Sequence, residues 1–146
     1  MKVNLKKCLE SSFQAAFSYA RGAIVMQNDE LRKLTETLLE YNEEAKINFL
    51  HCRETGKQGD FYNEVKPFAD KVKDCCEQWE IKAMKWVMIE RPKNIHPMQV
   101  KNTAENLQMV SVRAFFPDTS LKKFNSHIQS NDYILKRMLE SLEVSS

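Results

Sequence analysis

The sequence predicts an all-α fold, an up-down-up-down antiparallel four-helix bundle with a short additional N-terminal helix. The chain has only three glycines and four prolines in 146 residues. Because these residues cost a helix interior roughly 1 and 3 kcal/mol respectively, their clusters indicate where helices end. Between the clusters, apolar residues recur at spacings of 3 and 4, as on a packed helix face, and three short connections make sequential helices antiparallel. The clusters are Gly56–Gly59, Pro92–Pro97 and Pro117.

The first 25 residues form an N-terminal extension that can be interpreted in three ways. Its basic start and partly apolar stretch weakly resemble a secretory signal, although polar residues interrupt the stretch. Alternatively, translation begins at Met26, just before a helix start with Asn28 or Asp29 as N-cap. We prefer a short appended helix, dispensable for the fold, ahead of a bundle domain at residues 26–146. Its apolar face comprises Leu5, Leu9, Phe13, Ala16 and Ala20.

The first two main helices are predicted over residues 28–54 and 60–91. Gly56 is well placed for a left-handed cap that ends the first of them. Pro67 lies inside the second, where it either kinks the helix near Asn63 or marks a second start after a short first turn. The apolar face of the first helix comprises Leu31, Leu34, Leu38, Tyr41, Ala45, Phe49 and Cys52. That of the second comprises Phe61, Val65, Phe68, Val72, Cys76, Trp79, Ala83 and Trp86.

The third helix is predicted to begin near Ile95 or His96, with Pro97 at its first helical position. Phe115-Phe116-Pro117 closes it, and the fourth helix opens at Asp118 or Thr119 as N-cap and runs to about residue 144. Asn131 is the polar step in the apolar stripe of the fourth helix, a position that can fix helix register. The predicted core, one continuous cluster, includes Phe49, Leu38, Trp79, Trp86, Leu107, Phe124, Leu135 and Leu142.

Charge argues against a nucleic-acid-binding domain. The first 25 residues carry a net charge of +3 and the remaining 121 carry −1, so the overall basicity belongs to the extension. Lysine and glutamate alternate along every predicted helix, as on a solvated surface, whereas nucleic-acid binders show a basic face. No apolar run approaches the roughly 18 residues that a transmembrane helix needs.

The four cysteines show no disulfide framework. Cys75 and Cys76 are adjacent, and neighbouring residues on a helix point about 100° apart, so they do not pair with each other. Cys52 follows His51, but adjacent helix residues do not face each other, so His51 is poorly placed to activate the thiol. Free cysteines on apolar seams behave as small hydrophobes. Together with Cys8, they suit a reducing cytoplasm, which is the predicted location.

The histidines do not predict a metal site. A di-iron bundle needs Glu-x-x-His repeats, and no glutamate stands three residues before His51, His96 or His127. The topology also places His51 and His127 at one end of the bundle and His96 at the other. We therefore predict no metal, no cofactor and no catalytic residue.

Arg91, Lys93 and His96 form the least generic cluster of polar residues, in the connection between the second and third helices. They could bind an anion or a partner at the start of the third helix, where free N–H groups point outward. Alternatively, they cap helices, because cations near a helix C-terminus complement its dipole. Capping is the interpretation that we favour.

The same connection carries a family resemblance. Arg91, Pro92, Lys93, Ile95 and His96 form an Arg-Pro-Lys-x-hydrophobic-His pattern after a helix that contains Trp79. With Phe61-Tyr62 and Lys66-Pro67, this pattern resembles the YppE-like family of small four-helix bundle proteins of low-GC Gram-positive bacteria, over roughly residues 31–142. The resemblance implies a fold; it carries over no activity and no functional residues.

Three functions are compatible with the sequence. The leading hypothesis is a non-enzymatic cytoplasmic bundle that binds another, unknown protein, and that is itself a monomer or a weak homodimer. The second is a small-molecule or anion-binding bundle that uses the Arg91–His96 connection. The third is an enzyme whose residues follow no recognisable pattern. No nucleic-acid or membrane partner is expected.

Overall fold

The computed structural model describes the backbone of residues 2–145 and the side chains of residues 28–143. Within that range the chain forms four α-helices and a π-helical turn at Phe61–Val65 that leads into the second helix. The α-helices are α1 (Lys2–Thr55), α2 (Lys66–Glu90), α3 (Pro97–Arg113) and α4 (Leu121–Ser145). The predicted all-α fold is confirmed.

Contacts between side chains show how the helices run relative to one another. Lys82, in the second half of α2, contacts Glu30 of α1, whereas Lys71, in the first half of α2, contacts Glu44, which comes later on α1. The helix α2 therefore runs antiparallel to α1. Similarly, α4 is antiparallel to α1, because Arg32 donates to the carbonyl of Leu142 and Arg53 to that of Thr119. The end of α3 lines a cavity with the start of α4, whereas the first turns of α3 line another with residues 126–134, so α3 and α4 are antiparallel. Successive helices therefore alternate in direction.

The observed extent of α1 shows that the helix start predicted at Asn28 or Asp29 is wrong. It is continuous from Lys2 to Thr55, so Asn28 and Asp29 lie inside it and cap no helix. Between these ends Gly22 is the only residue that strongly disfavours a helix, and one glycine costs only about 1 kcal/mol. The side chains of the proposed apolar face at residues 5–20 lie outside the described residues. The division into residues 1–25 and 26–146 stays a prediction.

The start of α2 distinguishes between the two predicted effects of Pro67, a kink and a second helix start. Asp60 caps the π-helical turn, because its carboxylate accepts a hydrogen bond of 2.8 Å from the backbone N–H of Asn63. Glu64 accepts one of 2.8 Å from the backbone N–H of Asp60 in return. The α-helix then begins at Lys66, with Pro67 in its first turn, where a missing N–H costs nothing. The second of the two predicted alternatives, a new start after a short first turn, is confirmed.

The starts of α3 and α4 agree with the sequence to within two residues. His96 is the N-cap of α3 and Pro97 is its first helical residue, as predicted. For α4 the predicted caps, Asp118 and Thr119, are wrong. The N–H of Thr119 donates to the carbonyl of Phe116 within a turn, so the helix begins later, and the hydroxyl of Ser120 accepts from the N–H of Lys123 at 3.4 Å.

The predicted core is confirmed, since all eight side chains named for it belong to one buried cluster. Within it, Phe49 of α1 and Phe124 of α4 stack, with ring centroids 4.0 Å apart. Phe115, in the connection after α3, packs edge-on against Phe68 of α2 and joins this cluster. The four helices therefore share one core.

Polar side chains inside the core set the positions of the helices along one another. The indole N–H of Trp79 donates to the hydroxyl of Thr35 at 3.0 Å, which links α2 to α1. Asn42 links α1 to α4 twice, because its amide donates to the carbonyl of Ile128 at 3.0 Å and accepts from Asn131 at 3.2 Å. The sequence indicated Asn131 as a register-fixing residue. It did not indicate Thr35 or Asn42, the two residues of α1 that make these hydrogen bonds.

The two connections at one end of the bundle are held together through Gly59. Its N–H donates to the carbonyl of Phe115 at 2.9 Å. A Cβ at residue 59 would lie 2.7 Å from a ring carbon of Phe115, so the close approach of the two loops requires glycine. The other glycine here, Gly56, ends α1 in the predicted left-handed conformation, with φ of 69°.

Candidate functional site

The three residues predicted as an anion or partner site lie exposed in the connection between α2 and α3. Arg91 ends α2 in the left-handed conformation (φ 46°), and its N–H donates to the carbonyl of Val87 at 2.9 Å. His96 begins α3, and its backbone N–H donates to the side chain of Gln99 at 2.8 Å. Arg91 and His96 therefore have structural roles through their backbones. A ligand at Arg91, Lys93 and His96 stays a prediction.

A second feature at the same end of the bundle is an apolar patch on the side of α2 that faces away from the core. Ile81, Met88 and Ile89 are 61%, 67% and 64% exposed. Ile81 and Met88 lie almost in line along the helix, and Ile89 lies about 100° round from Met88. The three side chains therefore span one broad side of the helix, which we call the α2 outer face. Single exposed apolar residues are normal on protein surfaces, whereas these three are neighbours on one helix.

A cavity of about 310 Å³ adjoins the α2 outer face. It lies between α1 and the second half of α2, and it is lined by the apolar side chains of Leu31, Ile81, Trp86 and Ile89. Lys82 lies at this cavity and donates to Glu30 of α1 at 2.7 Å. This hydrogen bond holds the pKa of the Glu30 carboxyl below its ordinary value. A groove that an apolar side chain could enter therefore borders the patch.

The charge at the C-terminal end of the α2 outer face is mainly positive. Residues 85–93 contain three cationic side chains and one carboxylate, that of Glu90, whereas Lys82 is paired with Glu30. Lys85 lies between Ile81 and Met88 on the same helix face, and Arg91 and Lys93 follow the helix end. Of the predicted residues, Arg91 and Lys93 thus follow directly after the end of an apolar surface that the sequence did not reveal. The sequence did contain an indication of this surface, because Ile81, Met88 and Ile89 fall outside the apolar face predicted for their helix.

The histidines are placed as predicted with respect to the two ends of the bundle. His96 begins α3, whereas His51 and His127 line separate cavities at the end where α1 and α3 finish. Among the described residues, no group of three or more histidine, cysteine, aspartate or glutamate side chains could hold a metal ion.

In the same part of the chain, none of the helices has the length and apolar character that crossing a bilayer requires.

The cysteines whose side chains are described, Cys52, Cys75 and Cys76, are all free and buried. Burial raises the pKa of each thiol, and the pKa of Cys76 rises to about 12. Nearby acidic side chains, among them Glu77 and Glu80, add to the rise at Cys76. A nucleophilic thiol needs the opposite shift, so these residues are core side chains.

The raised pKa of Cys76 makes a prediction about stability in alkali. In the unfolded chain a thiol ionises near pH 8.5, whereas the folded protein keeps Cys76 neutral up to about pH 12. The stabilising contribution is therefore complete below the lower pKa and is lost as the pH rises between the two values. We expect urea unfolding to show a steeper loss of stability between about pH 8.5 and about pH 11 for the natural chain than for Cys76→Ala. Equal slopes would contradict the assignment.

Comparison with known proteins identifies the family. Residues 35–142 match the family described as a bacterial domain of unknown function (DUF1798). The chain belongs to this family. The predicted resemblance to YppE-like proteins is confirmed, because the protein YppE of Bacillus subtilis is 20% identical over 117 residues, which make up 80% of this chain and 95% of YppE.

Solved structures of the family share the fold. A protein of unknown function from Listeria innocua is 36% identical, with a TM-score of 0.79, and the match covers 83% of this chain and 97% of that one. The crystal structure of YppE is 19% identical, with a TM-score of 0.76, and the match covers 80% and 95% of the two chains. A DUF1798 protein from Staphylococcus aureus is 20% identical, with a TM-score of 0.73 and 78% and 96% covered.

Proposed function

We propose that this chain is a non-enzymatic, cytoplasmic interaction module that binds another protein through the α2 outer face. The observation that supports this proposal is the exposure of three large apolar side chains on one helix face. Burying an isoleucine or methionine side chain contributes about 1.5–3 kcal/mol. A partner that covers Ile81, Met88 and Ile89 therefore gains several kcal/mol of favourable binding free energy from their burial.

The partner that fits this surface is an amphipathic helix with acidic side chains beside its apolar stripe. An apolar side chain of the partner enters the groove between Leu31 and Trp86, in the way that helices dock into apolar grooves. Acidic residues beside that stripe meet Lys85, Arg91 and Lys93, which raises the association rate and selects the orientation. The basic N-terminal extension, with a net charge of +3, lacks this complementarity, so a distinct protein is the better fit.

The cytoplasmic location in this proposal is supported by the cysteines. Cys52, Cys75 and Cys76 are free thiols in the core, and disulfides are rare in reducing compartments. Their burial is compatible with a protein that relies on packing for stability.

The proposal is tested by charge substitutions on the α2 outer face. Met88→Glu and Ile89→Glu place a carboxylate in the centre of the apolar contact, and we expect each to weaken partner binding at least tenfold, because an unpaired buried charge is costly. The assay is capture of the partner from cell extract by the full chain, followed by calorimetry with the purified partner.

Ile47→Glu is the matched control. Ile47 is also an exposed isoleucine, at 58%, but it lies on α1, 16 residues beyond Leu31, or roughly 24 Å along the helix. Binding should survive this change. If all three variants bind alike, the α2 outer face is not the contact. Self-association that Met88→Glu abolishes, measured by sedimentation, would identify a second copy as the occupant and contradict the choice of a distinct acidic partner.

A further inference from the structure

We propose a binding site for an organic phosphate monoester in the cavity between the end of α3 and the start of α4. This inference is independent of the α2 outer face, which lies toward the opposite end of the bundle. It rests on two cationic side chains and one histidine that surround one cavity with an apolar floor. Arg113 ends α3, and Lys123 and His127 lie in the first turns of α4, so the short connection between the two helices brings them to one cavity.

The cavity has a volume of about 350 Å³, within the usual range of small-ligand sites. Arg113 comes from the last turn of α3, and Lys123 and His127 lie one helical turn apart on α4. None of the three takes part in the ion pairs found among residues 28–143. Asp118 contributes the one carboxylate of the lining. With Arg113 and Lys123 against Asp118, the lining carries one net positive charge.

The start of α4 adds to this positive surplus. The first turn of a helix presents backbone N–H groups that have no partner inside the helix, and the dipole of α4 favours an anion there. Thr119 and Ser120 also line the cavity, but their hydroxyls form hydrogen bonds with the backbone of Arg113 and Lys123. Arginine, lysine and backbone amide donors together suit a dianionic phosphate better than a single carboxylate.

The floor of the cavity limits the ligand further. Val110 and Phe124 are buried core residues, and Met109, which is 38% exposed, borders them. A phosphate monoester with a small apolar or aromatic group can bind the cations through its phosphate and contact this floor through its organic part. Inorganic phosphate has no such group and should bind more weakly.

The site differs from the Arg91–His96 connection because its cationic side chains line a cavity that can hold a small ligand. The cavity at that end of the bundle is lined by Trp86, Ile89 and Glu90 among others, and its lining contains none of Arg91, Lys93 and His96. Arg113 and Lys123, by contrast, both line the cavity proposed here. Variants at the two ends of the bundle distinguish the two locations.

The experiment is a titration of the full ¹⁵N-labelled chain with phenyl phosphate, followed by NMR. We expect saturable shifts of the backbone amides near residues 119–127, tighter binding of phenyl phosphate than of inorganic phosphate, and weaker binding of benzoate. Arg113→Gln and Lys123→Gln should each weaken phenyl phosphate binding about tenfold, as expected for the loss of one charge-assisted hydrogen bond. Both substitutions are on exposed side chains, and the spectra themselves report whether the fold is kept.

Arg91→Gln with Lys93→Gln is the control, and this variant should bind phenyl phosphate as the natural chain does. The proposal is overturned if phenyl phosphate causes no saturable shifts, or if benzoate binds equally well. It is also overturned if the control variant loses binding while Arg113→Gln keeps it. None of these results bears on partner binding at the α2 outer face.

Discussion

Replacing Phe124 by alanine is expected to lower the free energy of unfolding by about 3–5 kcal/mol. Phe124 is 2% exposed, and its ring stacks on that of Phe49, so the two rings join α4 to α1. Alanine removes the buried ring and leaves a cavity that rigid helices on all sides cannot fill. Urea unfolding, followed by circular dichroism, measures the loss.

Phe61→Ala is the matched control for this prediction. Phe61 is 56% exposed in the π-helical turn and touches Tyr62, which is itself exposed. Surface changes of this kind usually alter stability by about 0.5 kcal/mol or less. A loss below about 1 kcal/mol for Phe124→Ala, or equal losses for the two variants, would mean that α4 does not present this face to the core.

Asn42→Leu is expected to cost about 1–3 kcal/mol. The amide of Asn42 makes two buried hydrogen bonds to α4, and its loss leaves the donor of Asn131 without an acceptor. Asn131→Leu should cost less, because the side-chain oxygen of Asn131 has no donor among the described residues and its removal relieves that desolvation cost. The double variant should lose less than the two single variants together, since neither polar partner then remains unpaired.

Equilibrium unfolding of the two single variants and the double variant completes this cycle. Additive losses would show that the two amides act independently. A larger loss for Asn131→Leu than for Asn42→Leu would contradict the hydrogen bonds assigned here.

The positions of the helices followed from the sequence because glycine and proline are so few. Pro97 marked the first residue of α3, and Gly56 the end of α1, since each residue favours one helix terminus for a steric reason. The start of α1 could not be predicted in this way. Asn28 and Asp29 are good caps, but a cap residue within a long helical sequence does not interrupt it unless a breaker precedes it.

The functional surfaces could not be predicted in the same way, because they depend on which residues the bundle leaves uncovered. Met88 and Ile89 are apolar, and only the packing of α2 shows that they face away from the core. Arg113 and Lys123 are ordinary surface cations in the sequence and become a cluster through the antiparallel pairing of α3 with α4. Arg91 and Lys93 were identified as a site of their own, without the sign that Met88 and Ile89, which precede them, are exposed.

The buried polar residues illustrate the same limit within the core. Asn131 was recognisable as one polar step in an apolar stripe. Its partner Asn42 occupies an equivalent step on α1, but the sequence does not show which residues of two helices lie opposite each other. Register is set by packing along the whole interface.

Site-specific photo-crosslinking in cells tests the central claim, that the α2 outer face binds another protein. A photoreactive amino acid replaces Met88 in one full-length chain and Ile47 in another. We predict that irradiation joins the chain to one major partner from position 88 and not from position 47, and that the crosslinked segment of the partner is an acidic amphipathic helix. Equal crosslinking from both positions, or none from position 88, would contradict the proposed function.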